Sequence, residues 1–243
     1  MTHRSRRTVG AGLLLALVTA CSGGSARPTG GTAGRTLTVF AAASLQQAFT
    51  AEGKALEAAH PGTRVRFSFA GSQTLVAQIE QGAPADVLAT ADQATLDKVR
   101  DRLTGAPQVF AHNQLALVTA PGNPSHVRTL QDLQRPALKV VLAGPSVPVG
   151  KAAAKALAAA GVTVHPASLE DAVTGVVTKV RLGEADAGIA YVTDLQGGAV
   201  EGVPLPGTVT SLAIGTLTTR GDEFVRFVLS AAGQQVLRAH GFR

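Results

Sequence analysis

After residue 36, two patterns of hydrophobic spacing alternate along the chain. Short apolar or alternating runs, typical of strands, are each followed by a segment whose apolar residues lie three or four positions apart, as on one helix face. The first such pair is LTVFAAASLQQAFTAEGKAL, residues 37–56, and its helix is predicted to end at His60-Pro61-Gly62. Repetition of this unit predicts an α/β fold with a parallel sheet and helices on both of its faces.

The same spacing predicts where the later elements lie. Two successive β-α runs, without an internal sequence repeat, predict two similar α/β lobes. The last segment, 222–240, is predicted to be a single closing helix. Further strands are predicted at 63–69, within 82–90, and at 113–119, 138–143, 162–164, 187–192 and 208–217. Further helices are predicted to begin after Ser72, after Asp92 and after Val149, to lie at 130–133, and, for the helix before the strand 187–192, to end at Gly183.

Two serines lie where a predicted strand passes into a predicted helix. Ser44 precedes Gln47 with the S-x-x-Q spacing of a capping box, which predicts a helix N-cap. The free N–H groups and the dipole of a helix N-terminus also attract anions, so Ser44 can be a cap, an anion ligand or both. Ser72 repeats the arrangement, and helix starts at Val149 and within 168–173 add two more. Four neutral donor sites suit one small anion if the fold brings them together.

The N-terminus predicts export. Residues 1–20 combine a basic start with an apolar run too short for an ordinary membrane span, which predicts a signal peptide. Val18-Thr19-Ala20-Cys21 resembles the bacterial lipoprotein box, so Cys21, the only cysteine, is the predicted lipidation site; an ordinary secretory signal cut nearby is the alternative. Arg6-Arg7 also leaves a twin-arginine export route open. Residues 21–36, rich in Gly, Ser and Thr, are predicted to be the lipidated cysteine and a flexible tether.

Charge and composition make nucleic acid an unexpected partner. The formal net charge is +6, but cleavage after residue 20 removes three arginines and no acid, which leaves 19 − 16 = +3. The basic residues do not cluster, and the aromatic side chains on which single-stranded bases stack are only 4% of the chain.

Familiar catalytic patterns do not fit the chain. The stretch 144–151 resembles a phosphate-binding loop, but it has one residue too many between its glycines and lacks the Ser or Thr that would bind magnesium. There is no G-x-S-x-G motif, and scattered histidines without a thiolate make a zinc site unexpected. Asp86 and Asp92 are better explained as a turn aspartate and a helix N-terminal charge than as catalytic carboxylates. We therefore do not expect this protein to be an enzyme.

Six sequence blocks follow one another along the chain: VFAAASL (39–45), FAGSQTL (69–75), GAPADVLATAD (82–92), VPVGKAAAKAL (147–157), EDAVTGVVTKV (170–180) and GEADAGIAYVTD (183–194). Together they resemble one family, the molybdate-binding protein of bacterial molybdate ABC importers, over about 37–242. The resemblance implies a two-lobed periplasmic-binding-protein fold of type II, with two crossover strands and a ligand cleft between the lobes. The implied division is lobe I, 37–112 plus 195–243, and lobe II, 113–194.

The resemblance also implies which residues hold the ligand. In the family, two serines, two backbone N–H groups at helix starts and a tyrosine hydroxyl bind the oxyanion. The metal is held through its oxygens, without direct metal ligands, and no cofactor is implied. On this chain the matching positions are Ser44, Ser72, Val149, Val173 and Tyr191.

The function implied by the resemblance is capture of molybdate, and of tungstate, and delivery of the anion to an ABC permease. Together with the lipoprotein box, this predicts an extracytoplasmic lipoprotein, which we expect to be a monomer. Three alternatives stay open. One is a receptor for another tetrahedral oxyanion, such as sulfate. The others are a cytoplasmic anion-sensing domain of a transcription regulator, disfavoured by the lipoprotein box, and an extracytoplasmic enzyme.

The role of Val173 depends on where its helix begins, because only the first four N–H groups of a helix lack a partner within it. A cap at Ser168, with Asp171 completing a capping box, would bond the Val173 N–H inside the helix. A cap at Asp171 would leave that N–H free. Anion binding requires the later cap, which we predict.

Overall fold

The computed structural model describes residues 34–243. The predicted signal peptide, the lipidation of Cys21 and nearly all of the tether lie outside the described residues. The first strand begins at Arg35, so the last two residues of the predicted tether belong to the sheet. Between residues 34 and 243, no helix has the length and apolar character needed to span a membrane.

Strands and helices alternate through most of the fold, as the hydrophobic pattern predicts. The strands are β1 (Arg35–Ala42), β2 (Thr63–Ala70), β3 (Val87–Thr90), β4 (Gln108–Thr119), β5 (Val140–Ala143), β6 (Ser168–Glu170), β7 (Ala187–Tyr191) and β8 (Glu201–Thr216). The α-helices are α1 (Gln46–Ala59), α2 (Ser72–Glu80), α3 (Gln93–Leu96), α4 (Pro148–Ala159), α5 (Val173–Arg181), α6 (Asp222–Leu229) and α7 (Ala231–Ala239).

The eight strands form one sheet in the order β2-β1-β3-β8-β4-β7-β5-β6. Strands β1, β2 and β3 are parallel, and so are β5, β6 and β7. The long strands β4 and β8 run antiparallel to each other between these two groups. Each parallel group with its helices is one lobe, and β4 and β8 are the connections between lobes; the two-lobed fold class is therefore confirmed.

In the description that follows, lobe I contains β1–β3 and α1–α3, and lobe II contains β5–β7, α4 and α5. Helices α6 and α7 pack on α1, and the Phe224 ring of α6 meets the Phe49 ring of α1 with centroids 5.3 Å apart. The lobe boundaries after residues 112 and 194 stay a prediction, since β4 runs through the first of them without a break.

A glutamate lies on the buried face of α1. Glu52 is 0% exposed, on the same face as Phe49 and Leu56. Among the described residues, neither of its carboxylate oxygens has a hydrogen-bond partner. Burial raises the pKa of Glu52 to about 8, because a charged carboxylate would lose its hydration without compensation. The core of lobe I therefore contains a carboxyl group that is neutral at pH 7.

Two predicted elements are wrong. Residues 162–164 form no strand; the edge strand beside β5 is β6, which reads Ser-Leu-Glu and therefore lacks the apolar run that a buried strand shows. The closing segment is two helices, not one. It breaks at Ser230, whose backbone is extended and whose Oγ accepts a hydrogen bond from the Gly233 N–H and so caps α7.

Candidate functional site

A small cavity lies between the lobes, where strands end and helices begin. All five residues predicted for the site line it: Ser44 and Ser72 from lobe I, and Val149, Val173 and Tyr191 from lobe II. Its volume is about 20 Å³. A cavity must have a volume of at least about 10–15 Å³ to hold a single water molecule, so this cavity suits one small, compact group. The remaining lining residues are Ala42, Ala43, Gly71, Ala91, Val147 and Pro148.

Ser44 lies inside a short 3₁₀ turn, Ala43–Leu45, that the sequence did not predict. Helix α1 begins only at Gln46, and within the described residues the Ser44 side chain makes no capping hydrogen bond. The predicted capping box is therefore wrong, because Ser44 lies inside this extra turn and Leu45 is the N-cap of α1. The Ser44 Oγ is buried in the described part of the chain without any partner. A buried unpaired hydroxyl costs stability, so the Ser44 Oγ is available to a partner from outside the fold.

Ser72 is the first residue of α2, directly after β2 and Gly71, and is 1% exposed. Its Oγ accepts a hydrogen bond from the Ala91 N–H, with N and O 3.1 Å apart. That bond uses the accepting side of the hydroxyl, and no donation by it is found within residues 34–243. The Ser72 proton is therefore left to donate to a group in the cavity.

Two helices of lobe II begin at the cavity. In α4, Val147 is the N-cap and Pro148 the first residue; because proline has no N–H, Val149 supplies the first backbone donor of the helix. In α5, Ala172 is the N-cap and Val173 the first residue. Across the described chain, neither the Val149 nor the Val173 N–H has a backbone or side-chain acceptor outside its helix, as expected for the first turn of a helix.

The helix that begins at Val173 settles the question of register. Ser168 lies in β6 and caps nothing, so the early start is wrong. The cap is Ala172, one residue beyond the predicted Asp171. The Val173 N–H is free in either case, as the predicted later cap requires.

Tyr191 ends β7 and turns its hydroxyl into the cavity region. The residue is 2% exposed, and in the described part of the chain its hydroxyl has no partner with hydrogen-bond geometry; the similarly unpaired Thr210 hydroxyl lies nearby. Burial raises the pKa of Tyr191, and the negative charges of Asp194 and Asp92 raise it further. The phenol therefore stays protonated and remains a donor.

Asp194 fixes the backbone at Tyr191. The Tyr191 N–H donates to the Asp194 carboxylate, with N and O 2.9 Å apart. Loss of hydration raises the pKa of this carboxyl group to about 7, against the opposing effect of that hydrogen bond. Asp194 does not line the cavity itself, so it acts on the site through the position of Tyr191.

The cavity can hold an unprotonated anion. Three hydroxyls and two helix N-termini supply donors, and no charged side chain lines the cavity in residues 34–243. The same part of the chain contains no group of three His, Cys, Asp or Glu residues that could hold a metal ion. Negative charge would be met by dipoles and hydrogen bonds alone.

The sequence did not single out several residues at the site. Ala91 orients Ser72 through its N–H, and Thr210 lies beside Tyr191 although it comes from the distant strand β8. The only sequence signal for Ala91 is that a buried strand ends directly before it. Nothing in the local pattern distinguishes Thr210 from the other residues of β8.

A two-lobed α/β fold with a donor-lined cavity between its lobes is the arrangement found in solute-binding proteins. The chain belongs to the bacterial extracellular solute-binding protein family, which it matches over residues 37–243. This membership confirms the predicted type of protein and places it outside the cytoplasm.

Several relatives and solved structures carry related names. The molybdate-binding protein ModA of Mycobacterium tuberculosis is 43% identical over 95% of this chain and 94% of that protein. ModA of Escherichia coli is 34% identical over 65% of this chain and 66% of that protein. The periplasmic molybdate-binding protein of Azotobacter vinelandii has the same fold, with a TM-score of 0.71 and 19% identity over 85% of this chain and 98% of that chain. The sulfate-binding protein SubI of Mycobacterium tuberculosis also shares the fold, with a TM-score of 0.74 and 18% identity over 86% of each chain.

Proposed function

We propose that this protein captures molybdate, and tungstate as well, outside the cytoplasm and delivers it to an ABC permease. The observation that carries the proposal is the cavity between the lobes, which is lined by three hydroxyl groups and two helix N-termini and by no charged side chain of the described residues. The names of the relatives at 43% and 34% identity support the choice of molybdate.

The anion is the cargo of the protein and not a cofactor. Its oxygens would accept from the hydroxyls of Ser44, Ser72 and Tyr191 and from the N–H groups of Val149 and Val173. The donors come from both lobes, so the anion would bring the lobes together as it binds, and a closed, loaded form would be what the permease receives. No side chain contacts the metal directly in this arrangement.

The donors also favour a fully deprotonated anion. Ser72 already accepts one hydrogen bond from Ala91, and the two backbone N–H groups can only donate. A protonated oxyanion such as hydrogen phosphate must donate its own O–H, and it would find few acceptors here. Molybdate, tungstate and sulfate carry no proton at neutral pH and avoid this cost.

The proposal also covers how the protein is exported and attached to the membrane. We infer a signal peptide over residues 1–20 and a lipid anchor on Cys21, because the lone cysteine directly follows an apolar run and a small residue. The mature protein would act as a monomer.

Calorimetric titration of the mature protein with molybdate, tungstate, sulfate and phosphate tests the proposal. We expect molybdate and tungstate to bind tightly and phosphate to bind weakly or not at all. Tight binding of sulfate without binding of molybdate would replace the proposal by a sulfate receptor, the alternative that the site chemistry leaves open.

A further inference from the structure

An ion pair joins the two lobes beside the cavity. Lys151, in the first turns of α4 in lobe II, places its Nζ 2.6 Å from Asp92 Oδ2 in lobe I. The same Nζ donates to Thr95 Oγ1 at 2.9 Å. The side chains of Lys151 and Asp92 are 33% and 23% exposed, so the pair is shielded but reaches solvent.

The lobe I half of this contact is rigid. Asp92 is the N-cap of α3, and its Oδ1 accepts from the Thr95 N–H at 2.6 Å while its Oδ2 faces Lys151. Burial acts to raise the pKa of Asp92, but hydrogen bonds from Lys151 and Thr95 outweigh it and hold the pKa below its usual value. The carboxylate is therefore charged and oriented, and Lys151 must approach with lobe II for the pair to form.

A second, neutral contact lies on the other flank of the cavity. The Gln73 side chain of α2 donates from Nε2 to the Asp171 carbonyl of lobe II at 2.8 Å. Beside it, a Cβ atom on Gly71 would lie 2.3 Å from the same carbonyl oxygen, so only glycine permits this approach. The lobes therefore meet on both sides of the cavity, through residues that lie within two positions of a cavity-lining residue.

We propose that Asp92 and Lys151 form an interlobe latch, which favours the closed form and slows release of the anion without contacting it. This inference rests on the proposed function, since it concerns the same cavity. The pair exists only when the lobes are together, so its free energy is added to the closed state alone. The ion pair also neutralises Asp92, one of the two carboxylates whose negative charge acts on Tyr191.

A latch and a simple charge effect predict different outcomes for two substitutions. Lys151→Met removes a positive charge and Asp92→Asn removes a negative charge, and asparagine still caps α3. If the residues act only through their charges, Lys151→Met weakens anion binding and Asp92→Asn strengthens it. If they act as a latch, both weaken binding, and the double variant is little worse than either single one.

The matched control is Lys155→Met. Lys155 lies one turn further along α4 and is exposed, so its loss removes the same charge from the same helix without touching Asp92. Lys151→Arg supplies a conservative rescue, because a guanidinium group can still donate to the carboxylate.

The test is the affinity and release rate of molybdate in each variant. Release can be followed by the fluorescence of Tyr191, the only tyrosine of a chain without tryptophan. Lys151→Met and Asp92→Asn are each expected to raise Kd about 3- to 10-fold through faster release, and Lys155→Met and Lys151→Arg to change it little.

Two results would overturn the latch. One is tighter binding by Asp92→Asn; the other is a Lys151→Met variant that releases molybdate no faster than Lys155→Met. Titration of the wild-type protein with molybdate distinguishes a wrong latch from a wrong proposed function. If the wild-type protein does not bind molybdate, the function is wrong; if it binds molybdate and the variants behave like their control, only the latch is wrong.

Discussion

Replacing Ser44 by alanine is expected to raise the Kd for molybdate about 10- to 150-fold, with no loss of stability in the free protein. The hydroxyl is buried without a partner in the described residues, so its removal breaks no hydrogen bond of the fold. With the anion bound, the same hydroxyl would donate to a buried negative charge. A hydrogen bond to a charged group contributes about 1.5–3 kcal/mol, which corresponds to that loss of affinity.

Ser72→Ala provides the contrast, because this hydroxyl has a second role. Its removal takes away a donor to the anion and also leaves the Ala91 N–H without its acceptor. We expect a similar loss of affinity together with a decrease of about 1–3 kcal/mol in the free energy of unfolding without ligand.

Calorimetry and urea denaturation of the two serine variants and of Ser68→Ala, a half-buried serine of β2 away from the cavity, would measure both effects. Unchanged affinity in Ser44→Ala, with reduced stability, would contradict the assignment of Ser44 to the anion.

The stability of the protein is expected to fall as the pH rises from about 5 to 8, by up to about 1.4 kcal/mol per pH unit from Glu52 alone. The pKa of Glu52 is raised from 4.5 to about 8 in the folded state by burial. Between these values the unfolded chain releases the proton and the folded protein keeps it, so a rising pH favours unfolding. Below pH 4.5 Glu52 is protonated in both the folded and the unfolded protein, so it adds no pH dependence to the stability there.

Urea denaturation at several pH values, on the wild type and on Glu52→Gln, isolates this contribution. The glutamine variant should lose the part of the slope that comes from Glu52, whereas Glu80→Gln, which alters an exposed carboxyl at the end of α2, should keep it. Asp194, whose pKa is raised to about 7, acts in the same direction in all three proteins and cancels in the comparison. An identical slope in Glu52→Gln and the wild type would mean that Glu52 is ionised in the fold.

Hydrophobic spacing was sufficient to predict most of the fold. It predicts β1 with α1 and β2 with α2 closely, because the apolar residues of each of these strands and helices pack against the core. It fails at β6, a polar edge strand that carries no apolar run, and at Ser230, where a cap interrupts an otherwise continuous helical face. Both failures occur where local polar interactions, and not burial, determine the backbone.

The candidate site was predicted from the family resemblance more than from local pattern. The five residues do line one cavity, but the reason given for Ser44 was wrong, because a 3₁₀ turn separates β1 from α1. That turn leaves the hydroxyl unpaired, which is stronger support for ligand binding than a cap would have been. Whether these residues bind molybdate stays a prediction.

Contacts between distant segments could not be predicted from the sequence. Asp92 was expected to be a helix N-terminal charge, which it is, but its ion pair with Lys151 depends on how the two lobes meet. Glu52 lies at the apolar spacing of α1, but its complete burial depends on how distant parts of the chain pack against that helix.

The most direct test of the central claim is a crystal structure with molybdate, in which anomalous scattering at the molybdenum absorption edge locates the metal. We predict one molybdenum between the lobes, with its oxygens within hydrogen-bond distance of the Ser44, Ser72 and Tyr191 hydroxyls and of the Val149 and Val173 N–H groups. A molybdenum bound elsewhere, with no anomalous signal in this cavity, would contradict the account.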